Sequence, residues 1–455
     1  MAKSRVKKAS ARPQPVPKMQ RRKARPEAAT HAPELAEMLG PISVDTFMRE
    51  YRQQKPLHIP GDRKKLARLI RGGYSRRDML EGAALAAARR VPGFYSVAHQ
   101  TAGFDHGGSQ SMAADVAPSE IENKFKSGCN IQVAFQWDER LMTLMSRVKT
   151  QIGSTGEAAL YATLSPTGFG WPPHIDNVEV FFIQIEGHKR ILISDAPVFE
   201  YPRGTVSFSP AGKIANYEFA AMDVDRIDQV DMSNLREIVL APGDVFYCPS
   251  GVLHGTKAID ETLTVLMAYK ATSSLDLIYR TLKPRLLGDA NWRHIPAAHM
   301  KSATGELSPE VHDFFADRLA ELRKIVNELT PEALSVELAQ AVAFAGTGVQ
   351  MPMRQPQRPE RTIRKADRFR VGRVAPLTWT RGTSSDGAPA FFIFSGNREV
   401  SVGDEWMPFL ERLAQSDEVR ADETMRWSAT KPYPWSEVQE MFAALMENGV
   451  VDLVN

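Results

Sequence analysis

The 455-residue sequence predicts an α+β protein: a β-barrel or jelly roll within residues 34–273, a helical segment over 274–349 and a small α/β module over 390–455. Three observations predict it. Between Ala158 and Lys270, short strand-like runs ("AALYATL", "VEVFFIQI", "RILISD", "VSFSP", "EIVL", "DVFYCP", "TLTVLMAYK") alternate with turns bearing Pro and Gly, the pattern of a doubled or closed sheet. After residue 274 the apolar spacing becomes helical. A stretch rich in Pro and Arg, 350–389, then reads as a basic linker that sets off the end of the chain.

The elements follow in order. Residues 1–33 read as a disordered tail rich in Pro and Ala, with ten Lys/Arg and the single acid Glu27 among the first thirty residues. Its charge suits a weak hold on an acidic partner such as RNA or a ribosome. The remaining chain carries 47 basic and 53 acidic residues, so the net charge of +3 hides a mildly acidic body. "SVDTFMREYRQQ" reads as a helix capped by Ser43, with Phe47, Met48 and Tyr51 on one face, entering an extended "KPLHIP". "CNIQVAF" reads as a strand, followed by a helix. In "LAELRKIVNEL", Leu319, Leu322, Val326 and Leu329 share a face, and Thr330-Pro331 starts the next helix. In the last module "FFIF" and "VVDLV" are strands, and Trp406 to Leu413 and Ser436 to Met446 are helices. The latter opens on a Ser436/Gln439 capping box, buries Val438, Phe442 and Leu445, and stops at Asn448-Gly449.

Composition narrows the function classes. At 43% hydrophobic and 24% charged the chain is an ordinary globular one. Its two cysteines, Cys129 and Cys248, form no CxxC, which argues against a disulfide framework or a thiolate zinc site and for a reducing compartment. No apolar run reaches about 18 residues. The basic start lacks the apolar stretch of a secretory signal, so the cytoplasm is the expected location.

The chemistry concentrates in "GFGWPPHIDNVEVFFIQIEGHKR". Side chains two apart on an extended segment point the same way, so His174 and Asp176 can grip one metal ion from one side. "LAPGDVFYCPSGVLHGT" offers a third ligand, His254, presented after turns at Pro242-Gly243-Asp244 and Ser250-Gly251. Two histidines and one carboxylate on one face of a metal form the facial triad of non-heme Fe(II) oxygenases, whose open positions admit oxygen and a co-substrate. Lys189 lies fifteen residues after His174, amid apolar residues, where its charge is costly unless paired. The carboxylate of a co-substrate such as 2-oxoglutarate would pair it, with hydroxyl donors from Tyr161 and Thr163 of the preceding strand. Cys248 reads as a small core residue, and His188 points away from Lys189.

These stretches, with "SVDTFMREYRQQKPLHI", resemble the JmjC-type, cupin-like oxygenases of the ribosomal oxygenase group. The resemblance covers about residues 40–455 and is densest in the barrel. It implies a double-stranded β-helix holding Fe(II) through His174, Asp176 and His254. It implies 2-oxoglutarate and O2 as co-substrates, with Lys189 on the distal carboxylate. It implies hydroxylation of a side chain of a protein or peptide, and helices that form a homodimer ahead of a winged-helix-like module. The chain departs from the group at Ala159 and Leu160, where an Asn is common, and at Ile175, where an aromatic is usual. The stretch from Glu200 to Glu237 reads as an insertion that lines a substrate groove. Three alternatives stay open at this point: an N-methyl demethylase with the same iron chemistry, a cupin using Zn or Mn without 2-oxoglutarate, and a non-catalytic cupin-like binding protein.

Overall fold

The computed structural model describes residues 33–91, 94–99, 113–134, 138–217, 229–294, 309–343, 361–371, 377–383, 389–395 and 398–454. The basic tail to residue 32, His31, His106, His299 and the first part of the expected linker lie outside the described residues.

Fourteen strands build two facing sheets among the described residues. They are β1 (Leu57–Ile59), β2 (Tyr95–His99), β3 (Ala113–Asp115), β4 (Asn130–Ala134), β5 (Ala158–Ser165), β6 (His174–Ile175), β7 (Glu179–Glu186), β8 (Lys189–Pro197), β9 (Val206–Phe208), β10 (Ile214–Tyr217), β11 (Arg236–Leu240), β12 (Val245–Cys248), β13 (Val252–Ala258) and β14 (Thr262–Tyr269). The larger sheet runs β1-β12-β7-β14-β5-β4-β2-β3, and the smaller β10-β9-β6-β13-β8-β11. From β5 to β8, and again from β11 to β14, successive strands alternate between the sheets, which is the winding of a jelly roll.

Burial explains the unbroken apolar run of β7. Phe181, Ile183 and Ile185 face a helical layer with Leu35, Met38, Phe47, Met145 and Val148. Val180 and Phe182, on the alternate face, meet Ile191 and Ile193 of the opposite sheet inside the roll. A strand covered on both faces has no polar period. Phe47 packs at 4.8 Å edge-on to Tyr247 and 5.9 Å from Phe181, and its full burial is worth about 1.5–3 kcal/mol. Its helix, Val44–Glu50, is capped as expected by Ser43, whose hydroxyl accepts from Thr46 N. Met48 is 36% exposed rather than part of the buried face, because the helix turns only Phe47 fully onto the roll.

The helical segment holds Ser274–Gly288, Ala290–Arg293, Pro309–Asn327 and Pro331–Ala343. Thr330 caps the last of these, its Oγ1 accepting from Ala333 N at 3.2 Å. The Lys149 ammonium, on the buried helix Glu139–Gln151, donates to Ala341 O and Val342 O at 3.0 and 2.9 Å and pins that helix end to the roll.

The C-terminal part starts earlier than its expected boundary at residue 390. β15 (Arg368–Val371), β16 (Leu377–Thr383), β17 (Pro389–Ser395), β18 (Arg398–Val402), β19 (Glu418–Arg420) and β20 (Val451–Val454) form two three-stranded sheets, β19-β15-β20 and β16-β17-β18. Part of the expected 350–389 linker is therefore strand. In β15 two of its arginines are the exposed half of an alternation: Arg368 and Arg370 face out while Phe369 and Val371 are buried. Helices Met407–Ala414 and Trp435–Glu447 close over this core, with Phe369 stacked on Phe442 at 4.1 Å. Ser436 is not the cap of the last helix. Pro434 occupies that position, and Gln439 instead donates to Ile363 O at 2.8 Å. Val438, Phe442 and Leu445 are buried, and Gly449 has φ 65° at the expected stop.

Candidate metal centre

His174 on β6 and His254 on β13 are register partners across an antiparallel pair, which brings their rings to 4.2 Å between centroids. The turn at Ser250-Gly251 presents His254 on β13, the strand that begins just after it. Gly251 has φ 77°, and a Cβ there would run into Phe199 O. Asp176 follows β6, and its backbone carbonyl accepts from Gly251 N at 2.9 Å and Ser250 Oγ at 3.1 Å. Asp176 Oδ2 lies 3.6 Å from His174 Nε2 and 3.7 Å from His254 Nε2. One ligand atom from each of the three residues falls within 4.8 Å of the others, and no other group of three or more ligating side chains occurs among the described residues.

The donor chemistry fits a divalent transition metal. His174 Nδ1 meets Pro172 O at 2.8 Å and His254 Nδ1 meets Val252 O at 3.0 Å. A backbone carbonyl only accepts, so each Nδ1 carries the proton and each Nε2 lone pair faces the centre. Burial, then the neighbouring His174, hold His254 down to about 4, so its imidazole is neutral at ordinary pH, the form that can ligate a metal. Burial works against charge on Asp176, but the two imidazoles and the Thr205 hydroxyl outweigh it and keep its carboxyl below the ordinary range. Cys248 is buried with its Sγ 3.6 Å from His254 Nδ1; burial, then Asp176, raise its thiol well above its usual range, so it packs as a protonated side chain. Ile175 is fully buried with Val206, Phe208 and Leu253, an apolar anchor between the two ligand positions.

Lys189 opens β8 and is 2% exposed. Its ammonium has one partner among the described residues, Thr163 Oγ1 at 3.5 Å, and no carboxylate. Burial pushes it down to about 7. On the strand pair β8–β13, Ala258 faces Lys189, Thr256 faces Ile191 and His254 faces Ile193, so Lys189 and His254 share the inner face. Four residues, about 13 Å of strand, separate their backbone positions. Tyr161, two residues before Thr163 on β5, packs against the same interior cluster as Phe182 and Ile191. All six predicted site residues thus belong to the inside of one roll, in two groups: His174, Asp176 and His254 at one level, Lys189 and Thr163 deeper, with Tyr161 on the wall. His188 is half-exposed and bound to Asp260 at 2.8 Å, away from the interior.

Two supporting residues escaped the sequence. Asp244, in the "PGD" turn, accepts from Gly61 N, Ala241 N and His58 Nε2 at 2.8, 3.0 and 2.9 Å, clamping the entry to β12. Thr205 donates to Asp176 Oδ1 at 2.9 Å, which leaves Oδ2 toward the histidines. It sits in the stretch from Glu200 to Glu237 that reads only as an insertion, so nothing in the pattern marked it. Thr205→Val is expected to weaken Co(II) or Fe(II) binding by about 10–100-fold in anaerobic titration, with Thr205→Ser close to wild type.

A family model described as a JmjC domain matches residues 130–277, which hold all six predicted site residues. Over those residues the chain is similar to a JmjC domain. Around it the chain is 26% identical over 226 residues to ribosomal oxygenase 2 of Rattus norvegicus, covering 48% of this chain and 42% of that protein. It is 24% identical over 258 residues to the bifunctional lysine-specific demethylase and histidyl-hydroxylase NO66 of Drosophila persimilis, covering 54% of this chain and 33% of that protein. The chain thus matches less than half the length of either relative. A solved structure of YcfD, a ribosomal oxygenase from Escherichia coli, in complex with cobalt and 2-oxoglutarate, superposes with a TM-score of 0.54 at 16% identity, covering 91% of this chain and 99% of that one. The likeness in fold therefore runs past residues 130–277 into the helices and the C-terminal sheets.

Proposed function

We propose that the JmjC domain is an Fe(II)- and 2-oxoglutarate-dependent oxygenase that hydroxylates a side chain of a protein or peptide, of the ribosomal-protein kind. The observation that carries this reading is the buried, acid-free Lys189 on the same inner face as the His174–Asp176–His254 group. A metal site alone would not need a cation held at that depth; a diacid chelating the metal would. His174, Asp176 and His254 would hold the iron on one side, and bound iron with 2-oxoglutarate would supply the activation of O2 and the oxygen atom delivered. The chain does the rest. The two Nδ1–H···O=C contacts orient the imidazoles, Lys189 with Thr163 and Tyr161 anchors the distal carboxylate, and Phe182, Ile191 and Ile193 keep water from the interior.

The test is anaerobic titration of the purified protein with Fe(II) and 2-oxoglutarate, followed by exposure to ribosomal proteins and O2. A visible charge-transfer band and a mass gain of one oxygen atom are expected. No band in iron-loaded protein would sink the reading. Release of formaldehyde from an N-methylated substrate would instead mark demethylation, an activity in the printed name of the Drosophila relative.

We extend the proposal to assembly and location. Among the described residues, Leu275, Tyr279, Phe315, Leu319 and Val326 of the helical segment are exposed, at 72, 54, 54, 50 and 43%. Leu319 and Val326, half of the apolar face read from the sequence, are thus exposed in a single chain, and a second copy is the proposed cover. Leu319→Glu with Val326→Glu is expected to shift sedimentation from dimer to monomer while 2-oxoglutarate binding persists. The C-terminal sheets and helices are proposed to be a winged-helix-like docking unit, the basic tail a weak contact to RNA or ribosome, and the cytoplasm the location.

A further inference from the structure

We propose that Gln184 is the positioning residue for Lys189 and thereby sets how tightly the barrel holds a dicarboxylate; this deepens the reading of Lys189 given above and rests on it. Gln184 is fully buried on β7 and does not belong to the metal group. Its Nε2 donates to two successive carbonyls, Glu186 O at 2.8 Å and Gly187 O at 3.0 Å. Its Oε1 accepts from Thr264 Oγ1 at 2.9 Å. These carbonyls belong to the turn from β7 into β8, and Lys189 is the first residue beyond it. The β7–β14 register shifts between Leu263 and Thr264, so the ladder is irregular where the carboxamide binds. The turn is tight as well: Gly187 has φ 67°, and a Cβ there would meet Glu261 O.

The contacts close on themselves. Lys189 Nζ reaches Thr163 Oγ1, Thr163 Oγ1 reaches Thr264 O, and Thr264 Oγ1 donates to Gln184, which holds the turn that launches Lys189. Gln184 is in turn fixed by its own backbone, whose N donates to Asp244 O at 3.0 Å and whose O accepts from Gly243 N at 2.8 Å. A primary amide supplies two donors and an acceptor from one neutral group. A glutamate could not donate to the two carbonyls, and an apolar side chain would leave them and the Thr264 hydroxyl unpaired in the interior. Gln184 therefore acts on the diacid through the place it gives Lys189, without touching it.

The experiment compares two 2-oxo acids on the iron-loaded, anaerobic full-length protein: 2-oxoglutarate, with a distal carboxylate, and 2-oxobutyrate, without one. Gln184→Met is expected to weaken 2-oxoglutarate by about 10–100-fold, the size of effect seen when a supporting partner of a ligating group is lost. Affinities for Fe(II) and for 2-oxobutyrate should stay at wild-type values. Thr264→Val is expected to move the same ratio in the same direction, and Thr264→Ser to restore it. Should Gln184→Met fail to fold, the Thr264 pair decides. A Gln184→Met protein that folds and keeps the full wild-type preference for 2-oxoglutarate overturns the proposal. A wild type that shows no preference between the two acids overturns the Lys189 reading instead.

Discussion

His174→Ala is expected to abolish metal binding, and with it any 2-oxoglutarate band and any turnover. The three ligand atoms lie within 4.8 Å of one another, and removing one leaves a carboxylate and a single imidazole, too few to fix a facial arrangement. The loss should exceed the about 100-fold that goes with removing a supporting partner. The fold should hardly notice. His174 is half-buried, and its backbone contact to Pro172 O stays within two residues of itself. A stability change within about 1 kcal/mol is expected by thermal melting of metal-free protein. His254→Ala is a less clean probe, because that ring is buried between Phe182 and the His174 ring and its removal leaves a cavity. Unchanged Co(II) affinity in His174→Ala would remove the metal centre from the account.

How much of this was legible beforehand follows from what each residue type can say by itself. The HxD pair, the later histidine and the lone lysine amid apolar residues are costly chemical choices, and cost makes them visible in a string of letters. Strand runs buried on both faces were visible for the same reason: "VEVFFIQI" has no polar period to confuse. Strands β2, β3 and β10 were not, being short and without a marked alternation. The linker misreading shows how charge misleads. Nine basic residues among five prolines look like a spacer until alternate positions of Arg368–Val371 are found buried. The exposed stripe of Leu319 and Val326 shows the reverse limit: periodicity announces an apolar face but not what covers it. Thr205 and Gln184 could not be read at all. A threonine or glutamine is ordinary in sequence, and only the fold brings Thr205 to Asp176 across 29 positions and Thr264 to Gln184 across 80.

Lys189→Met should separate stability from binding. The lysine is buried, has no acid beside it, and is pushed down to about 7 by that burial. Its ordinary value is 10.5, so between about pH 7 and 10.5 the unfolded chain binds the proton that the folded chain has lost. Stability of the unliganded protein therefore rises with pH across that window and is lowest below it, where the folded state must carry the buried charge. Methionine removes the charge at similar volume. Lys189→Met is expected to stabilise the unliganded protein at neutral pH by about 1–4 kcal/mol and to flatten this pH dependence. Binding goes the other way. The diacid loses its cationic partner in a dry interior, a loss of about 2–5 kcal/mol, or roughly thirty-fold to several-thousand-fold in 2-oxoglutarate affinity. In the wild type, the ammonium is present before the diacid arrives when the pH is below about 7. Above that value, binding must first recruit a proton, so affinity should fall about tenfold per pH unit until the pH reaches the lysine's value in the complex. Calorimetric titration in buffers of differing ionisation enthalpy would show the proton uptake directly in the wild type and its absence in Lys189→Met. A variant that is more stable and still binds 2-oxoglutarate as wild type does would mean that the buried ammonium serves something other than the diacid, since burial alone makes the charge costly and an apolar side chain would be more stable there.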